Sequence, residues 1–266
     1  MSKLIDYKDT SKKVYLNFGD QKLKVCPETF KHFNFQIGED YDLIEIAMEE
    51  KINYLYEESV KKLSKKIVSV DEYRKRLEAH RILDSDGIEK VIKRLEESNY
   101  LNDEIFAKLF TEALNKEYYG KYHILNELRK KGIRNSIIEN IDFDYEVEEE
   151  KARTYFKLIS NKYASNNYAK QKRKIYNELL KRGFDIDIIN KICNEIQLVE
   201  SREIDKLKKD YSKIKSKLGI YEAFNEINEG KIISALIKLG YSYRDIMEII
   251  TEDKENDQWF KRWIWC

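Results

Sequence analysis

The sequence predicts a mainly α-helical protein: tandem three-helix repeats forming an elongated, curved solenoid, preceded by a short N-terminal β-hairpin. Three observations carry this. The 266-residue chain holds one proline and nine glycines, too few breakers for an all-β fold. From Asp42 onward the apolar residues keep helical spacing. And one glycine-centred pattern recurs along the chain, the signature of a repeat architecture.

In chain order, residues 13–26 read as a hairpin. Val14, Leu16 and Phe18 alternate with Tyr15 and Asn17, Gly19-Asp20 turns the chain, and Leu23 and Val25 alternate on the return. An isolated hairpin is marginal in water, so it needs a neighbour to rest on. Pro27 then opens a short helix through Phe33. Leu43, Ile46, Ala47 and Leu55 mark the stripe of a long helix reaching about Lys66.

The repeat is anchored at Gly132, Gly183 and Gly240, which lie 51 and 57 residues apart. Eight residues before each anchor stands Ile124, Ile175 or Ile232, and four before stands Leu128, Leu179 or Leu236. Directly after comes Ile133, Phe184 or Tyr241. Six and nine residues after come Ile138 and Ile141, Ile189 and Ile192, Ile246 and Ile249. The leading pair faces the core from one helix. Glycine ends that helix because the position after it needs a left-handed backbone. Asn135, Asp185 and Ser242 are then candidate N-caps for a second helix, whose own stripe is the later isoleucines. Tyr73, Leu77, Ile82, Ile88 and Val91 form a degenerate copy without a glycine. A third helix fills the intervals at about 102–118, 147–163 and 202–217. The organisation expected is an arm at 1–40, repeats at 41–118, 119–165, 166–218 and 219–252, and a Trp-rich tail at 253–266 that folds back over apolar surface.

The formal net charge is +1, so attraction to a polyanion has to come from a local patch. Cys26, Cys193 and Cys266 form no C-x-x-C pair, which fits a reducing cytosol, and Cys193 falls at a packing position. The N-terminus lacks the apolar core of a signal peptide, and no apolar run is long enough for a membrane span. There is no P-loop and no His-Glu-x-x-His, and His32, His80 and His123 have no partner motif. The expectation is a protein that is not an enzyme, holds no cofactor or metal, and is active as a monomer.

Charge is segregated instead. Lys121, Arg129, Lys130, Lys131 and Arg134 face one acid, Glu127. Lys170, Lys172, Arg173, Lys174, Lys181 and Arg182 face one acid, Glu178. Residues 206–217 add six lysines against Asp210, whereas Glu139 to Glu150 is acidic. Basic residues at matched repeat positions, with Tyr122, Tyr168 and Tyr176 among them, suggest a partner-binding face for an acidic groove or for phosphates. The alternative for any one of them is a solvated helix face with lysines matched to the helix dipole.

The stretch Ser69–Ile133 resembles the RecX family. The entry Ser69 to Tyr73, the helix Ile88 to Ile92, the turn Tyr100 to Ala107 and the close Gly120 to Ile133 follow the family's pattern. The resemblance spans about residues 42–250. Val68 stands where an arginine is usual, Tyr73 replaces leucine, and Asn102 replaces an aspartate without losing N-cap chemistry. The resemblance implies three-helix repeats that lie in the groove of a RecA–DNA filament, in the setting of DNA repair, homologous recombination and the SOS response. There the family suppresses ATP hydrolysis, strand exchange and filament growth, although some relatives activate, and it can touch single- or double-stranded DNA. Two other readings remain: a helical-repeat protein that binds DNA without RecA, and a scaffold for an unrelated partner.

Overall fold

The computed structural model describes residues 1–10, 12–218 and 226–264, without the side chains of 226–227 and 257–264. Strands β1 (Ser2–Lys3), β2 (Asp6–Asp9), β3 (Val14–Asn17) and β4 (Lys22–Val25) lead into helix α1 (Pro27–Phe33), strand β5 (Asp40–Tyr41) and the long helix α2 (Leu43–Leu63). Only helices follow among the described residues: α3 (Val70–His80), α4 (Ser85–Glu97), α5 (Asp103–Lys116), α6 (Lys121–Lys130), α7 (Asn135–Ile138), α8 (Tyr145–Tyr163), α9 (Tyr168–Lys181), α10 (Ile186–Asn194), α11 (Glu200–Lys217), α12 (Glu226–Leu239) and α13 (Tyr243–Ile264). The chain divides into two compact units, Met1–Ala113 with Leu125–Asp142, and Leu114–Ile124 with Phe143–Cys266.

The expected hairpin is β3–β4, with Val14 opposite Val25 and Leu16 opposite Leu23. It carries a third strand that the alternation did not reveal. β2 pairs antiparallel with β3, yet its residues Asp-Tyr-Lys-Asp are all exposed, so an edge strand of this kind has no apolar rhythm to read. β1 and β5 make a separate two-stranded pair. The sheet rests its inner face (Val14, Leu16, Val25) on Phe35 and on Ile46 of α2. A polar knot adds to this: the Glu50 carboxylate of α2 accepts from the Cys26 N–H at 2.7 Å, the Thr29 hydroxyl at 2.8 Å and the Lys13 ammonium at 3.0 Å. Burial opposes ionisation of Glu50, but these donors outweigh it and hold its carboxyl below the ordinary value. Ala47, expected in the buried stripe of α2, is exposed. The stripe runs instead through Ile46, Ile52, Leu55 and Leu63, with Asn53 and Ser59 buried between them. Those two polar groups are tolerated because Asn53 accepts from Arg94 at 2.6 Å and Ser59 donates to the Leu55 carbonyl at 2.5 Å.

The glycine-centred repeat is present as tandem helices. Gly132, Gly183 and Gly240 have φ of 75°, 80° and 99°. Behind each, the residue after the glycine donates to the leucine carbonyl five residues back: Ile133 to Leu128 at 3.1 Å, Phe184 to Leu179 and Tyr241 to Leu236 at 3.3 Å. This is the Schellman closure, which ties the apolar residue after the glycine to the last core leucine of the helix. In the degenerate copy Arg81 takes the left-handed position with φ of 52°. The residue inserted there leaves Ile82 exposed and buries Leu83 in its place. Asp185 and Ser242 cap their helices through bonds to Asp187 N and Asp245 N. Asn135 does not cap: it is the first residue of α7, and Arg134 before it makes no side-chain cap bond.

Buried clusters join a long helix to the helix pair that follows it. α2 packs with α3 and α4, α8 with α9 and α10, and α11 with α12 and α13. The second and third of these clusters run across the boundaries at 165 and 218 where the sequence pattern alone divides the repeats. Side chains of the Trp-rich tail from 257 on, and residues 265–266, lie outside the described ones, as does the segment 219–225.

Two polar devices recur at the ends of the first helix of each repeat. In the first, the helix N-terminus is held by a carboxylate from the third helix. The N–H of Val70 donates to Asp103, that of Lys121 to Glu148, and that of Tyr168 to Glu203, each at 2.9 Å. In the second, the same N-terminus meets the glycine-ended C-terminus of the next repeat's first helix. Ser69 donates to the Lys131 carbonyl at 2.7 Å, the Gly120 N–H to that of Arg182 at 2.7 Å, and the Asn167 amide to that of Leu239 at 2.9 Å. Donors that a helix start leaves over thus meet acceptors that a helix end leaves over.

Two substitution pairs test this. Gly183→Ala should cost more than about 2 kcal/mol, because φ is positive and a Cβ there runs into the His123 backbone. Gly230→Ala, on open helix surface, should stabilise by about 0.5–1 kcal/mol. Urea unfolding of the two variants gives the comparison. Glu148→Ala should cost about 3–5 kcal/mol by the same measurement, since it strands the Lys151 ammonium (8% exposed, as is Glu148) without its ion pair. Lys130→Ala, which breaks an exposed pair with Glu127, should change stability by less than about 1 kcal/mol.

Candidate partner-binding surface

The basic residues of α9 fall into two sets. At 100° per residue, Lys170, Arg173, Lys174 and Lys181 lie within an arc of about 100°, opposite the buried Ile175 and Leu179. Arg173 and Lys181 are exposed and make no ion pair among the described residues. Lys174 lies over the Tyr163 ring at 5.3 Å. Lys172 turns toward α10, where its ammonium meets Asn194 at 3.2 Å, and it passes the Tyr168 ring at 5.9 Å. Arg182 leaves the face altogether. Its guanidinium donates to the Glu117 carbonyl at 2.7 Å and lies 4.3 Å from the Tyr119 ring and 4.5 Å from the Tyr155 ring. It is a bolt inside the repeat joint. Lys121 is exposed at the start of α6, 5.9 Å from the Phe143 ring.

The other unit holds a smaller group at the end of α6. Arg129 and Arg134 are exposed without ion pairs among the described residues. Lys130 is paired with Glu127 at 2.6 Å and Lys131 with Glu72 at 3.1 Å. Of the tyrosines singled out, only Tyr122 stands out in solvent (54% exposed), its hydroxyl on Asp185 at 3.1 Å. Tyr176 packs against the core of its repeat.

The structure adds residues that reading run by run had kept apart. Lys170 shares a cavity of about 170 Å³ with Lys206, Lys209 and Lys213 of α11 and with Asp210, which lies 4.0 Å from the Lys213 ammonium. The spacing of these three lysines, one face of α11, is the signal that could have joined them to α9. Lys206 is partly spent: its ammonium holds the carbonyl of Ala164 at 2.8 Å and that of Asn166. Burial, and then the nearby Arg202, press its titration below the ordinary lysine value. Lys208 and Lys215 of the same run turn instead to Glu252 at 3.0 Å and Asp253 at 2.6 Å. The acidic run 139–150 is likewise internal in part. Asp144 caps α8, Glu148 holds the start of α6, and Glu149 meets Lys191 at 2.6 Å and Arg153 at 2.8 Å.

Cys193 is buried in the core of its repeat, and burial raises its thiol above the usual range. Among the described residues no three His, Cys, Asp or Glu side chains gather as a metal site, and no helix is long and apolar enough to cross a membrane. The chemistry on offer is a cationic surface, with hydrogen-bonding amides beside it.

No protein-family model matches the chain. Curated relatives do. The regulatory protein RecX of Lactococcus lactis subsp. cremoris strain SK11 is 30% identical over 246 residues, covering 88% of this chain and 90% of the relative. The chain belongs to the RecX family. The regulatory protein RecX of Streptococcus agalactiae serotype V is 29% identical over 67% of this chain and 69% of its own. A crystal structure of regulatory protein RecX aligns with a TM-score of 0.64 at 19% identity, over 73% of this chain and all of the other, a likeness of fold. RecX from Lactobacillus salivarius aligns with a TM-score of 0.50 at 27% identity, over 55% of this chain and 97% of the other. RecX kinship thus agrees with the motif run at Ser69–Ile133 and with the repeats.

The two classes of α9 cation should separate on mutation. Arg182→Ala should destabilise by about 2 kcal/mol, from a lost hydrogen bond and two ring contacts. Arg173→Glu with Lys181→Glu should leave stability within about 0.5 kcal/mol. Thermal melts followed by circular dichroism decide between this split and one uniform basic face.

Proposed function

We propose that this RecX-family chain regulates RecA by binding the RecA–DNA filament in its groove, and that its main effect is to lower ATP hydrolysis, strand exchange and filament growth. Its membership in a family of regulatory proteins carries the reading. The outward arc Lys170, Arg173, Lys174 and Lys181 supports it, because these cations have few internal partners and recur over several helical turns. A net charge of +1 fits a local, multipoint grip better than bulk attraction. In this reading the protein acts in the cytoplasm, as a monomer, and performs no chemistry of its own; any effect on hydrolysis is exerted on the partner's nucleotide. Lys121, Arg129 and Arg134 are further contacts of the same kind.

The basic cavity around Lys170, Lys206, Lys209 and Lys213 favours one second reading, direct contact with DNA phosphates in the absence of RecA.

The deciding measurement is single-stranded-DNA-dependent ATP hydrolysis by the cognate RecA with this protein titrated in. A dose-dependent fall at substoichiometric ratios is expected, and it should vanish for Arg173→Glu/Lys174→Glu/Lys181→Glu while helicity is kept. A rise keeps the partner and reverses the sign. An unchanged rate, with a salt-sensitive shift of DNA alone in a gel, moves the function to the second reading.

A further inference from the structure

The helix triples of this protein are not all closed in the same way. α8 lies on both α9 and α10, and α11 lies on both α12 and α13. α2 holds the corresponding place before the pair α3–α4; it packs closely along α4 and meets α3 more sparingly, through side chains of their shared core cluster. Between α2 and α3 a cleft of about 360 Å³ stays open. That volume falls at the small end of ligand-binding pockets, roughly 300–1,000 Å³.

The cleft has two distinct chemistries. Its floor is aliphatic, made by Leu55 and Leu63 of α2, Val68 of the connecting loop and Leu77 of α3. Its rim carries Lys62 on the last turn of α2 and Lys66 in the loop just beyond it, facing Arg76 and His80 on the last turns of α3, where Arg76 is ion-paired with Glu72 of its own helix. One acid lines it, Glu58, and Lys61 already neutralises that carboxylate at 2.9 Å. Two large side chains at the lip face solvent, Tyr54 at 57% and Ile82 at 39% exposed. Ile82 is there because the degenerate copy inserts a residue after Arg81, so the irregularity of the first repeat and the open cleft meet at one place.

We propose that this cleft docks an acidic peptide segment of a partner protein, anchored by one large apolar side chain. The aliphatic floor takes the anchor, since burying a leucine- or phenylalanine-sized group is the main source of affinity available there. The exposed ammonium groups of Lys62 and Lys66 take carboxylates before and after the anchor in sequence. A nucleic acid fits less well. The floor is aliphatic beside the buried Tyr73, and Tyr54 at the lip is the one exposed Phe, Tyr or Trp ring lining the cleft, where a run of stacked bases needs several. This site is separate from the α9 cations and stands whether or not those grip a filament.

The test is selection of random dodecapeptides displayed on phage against the full-length protein, followed by anisotropy with the best synthetic peptide. The selected sequences should carry two or more Asp or Glu around a Leu, Ile or Phe. Their affinity should fall at least tenfold for Lys62→Glu/Lys66→Glu, two exposed substitutions whose folding is checked by circular dichroism, and should hold for Lys209→Glu/Lys213→Glu. Absence of enrichment, enrichment of basic or purely polar sequences, or undiminished binding to the Lys62/Lys66 variant overturns the proposal. So does equal competition by a twenty-nucleotide oligo-thymidine, which assigns the cleft to nucleic acid.

Discussion

The architecture hangs on one joint, used three times: the start of a repeat's first helix seated on the glycine-ended finish of the next repeat's first helix. At the joint of α6 and α9 the helix start meets the helix end backbone to backbone, with the Arg182 side chain bolting it from beside. The N–H groups of Gly120 and Tyr122 donate to the carbonyls of Arg182 and Gly183 at 2.7 and 2.9 Å. A Cβ on Gly120 would stand 2.5 Å from the Gly183 carbonyl carbon, so two glycines are required where two main chains touch. The ends also carry opposite dipole charge, which favours the meeting of start with finish. At the other two joints Ser69 and Asn167 reach the carbonyls with side chains.

This constraint accounts for features that look unrelated in the sequence. The Schellman closure presents its carbonyls outward only because the next residue is left-handed, so the anchor glycine sets both the end of one helix and the seat for another. The carboxylate from the third helix (Asp103, Glu148 or Glu203) then takes the N–H that the joint leaves over. Asp103 is buried enough that its carboxyl is raised above its ordinary value despite the Val70 N–H, whereas Glu148 is ion-paired with the buried Lys151. Lys206 stands three residues after Glu203, as Lys151 does after Glu148. Each reaches back toward the end of the preceding long helix, Lys151 to Asn115 at 2.6 Å and Lys206 to the Ala164 carbonyl.

Most of the helical fold was legible because its determinants are local. Periodic isoleucines, a left-handed glycine and an N-cap each act within a few residues. What escaped was set by partners distant in sequence. β2 forms because β3 offers an edge, and no residue of Asp6–Asp9 is apolar enough to announce it except Tyr7. Ala47 faces out because α2 turns its Ile46–Leu63 side to the sheet and to α4, a choice that small alanine does not influence. The candidate surface was harder still. A basic residue reads alike whether it faces solvent, as Lys181 does, or bolts a joint, as Arg182 does one residue later. The tyrosines decide: Arg182 is drawn inward by Tyr119 of the α5–α6 loop and Tyr155 of α8, both distant from it in sequence.

The same distinction explains how a chain with 50 basic and 49 acidic residues can offer a cationic face at all. Counting charges along the chain suggests mutual cancellation, but cancellation happens in space. Glu148, Asp103 and Glu203 are consumed at helix starts, where they satisfy backbone donors and, for Glu148, the buried Lys151. Acids placed there face the interior of the repeat and contribute little field beyond it, whereas Arg129, Arg173 and Lys181 project without a counter-charge among the described residues. A near-zero sum is therefore compatible with an outward positive arc, and the polar joints that build the repeats are also what leave that arc uncompensated.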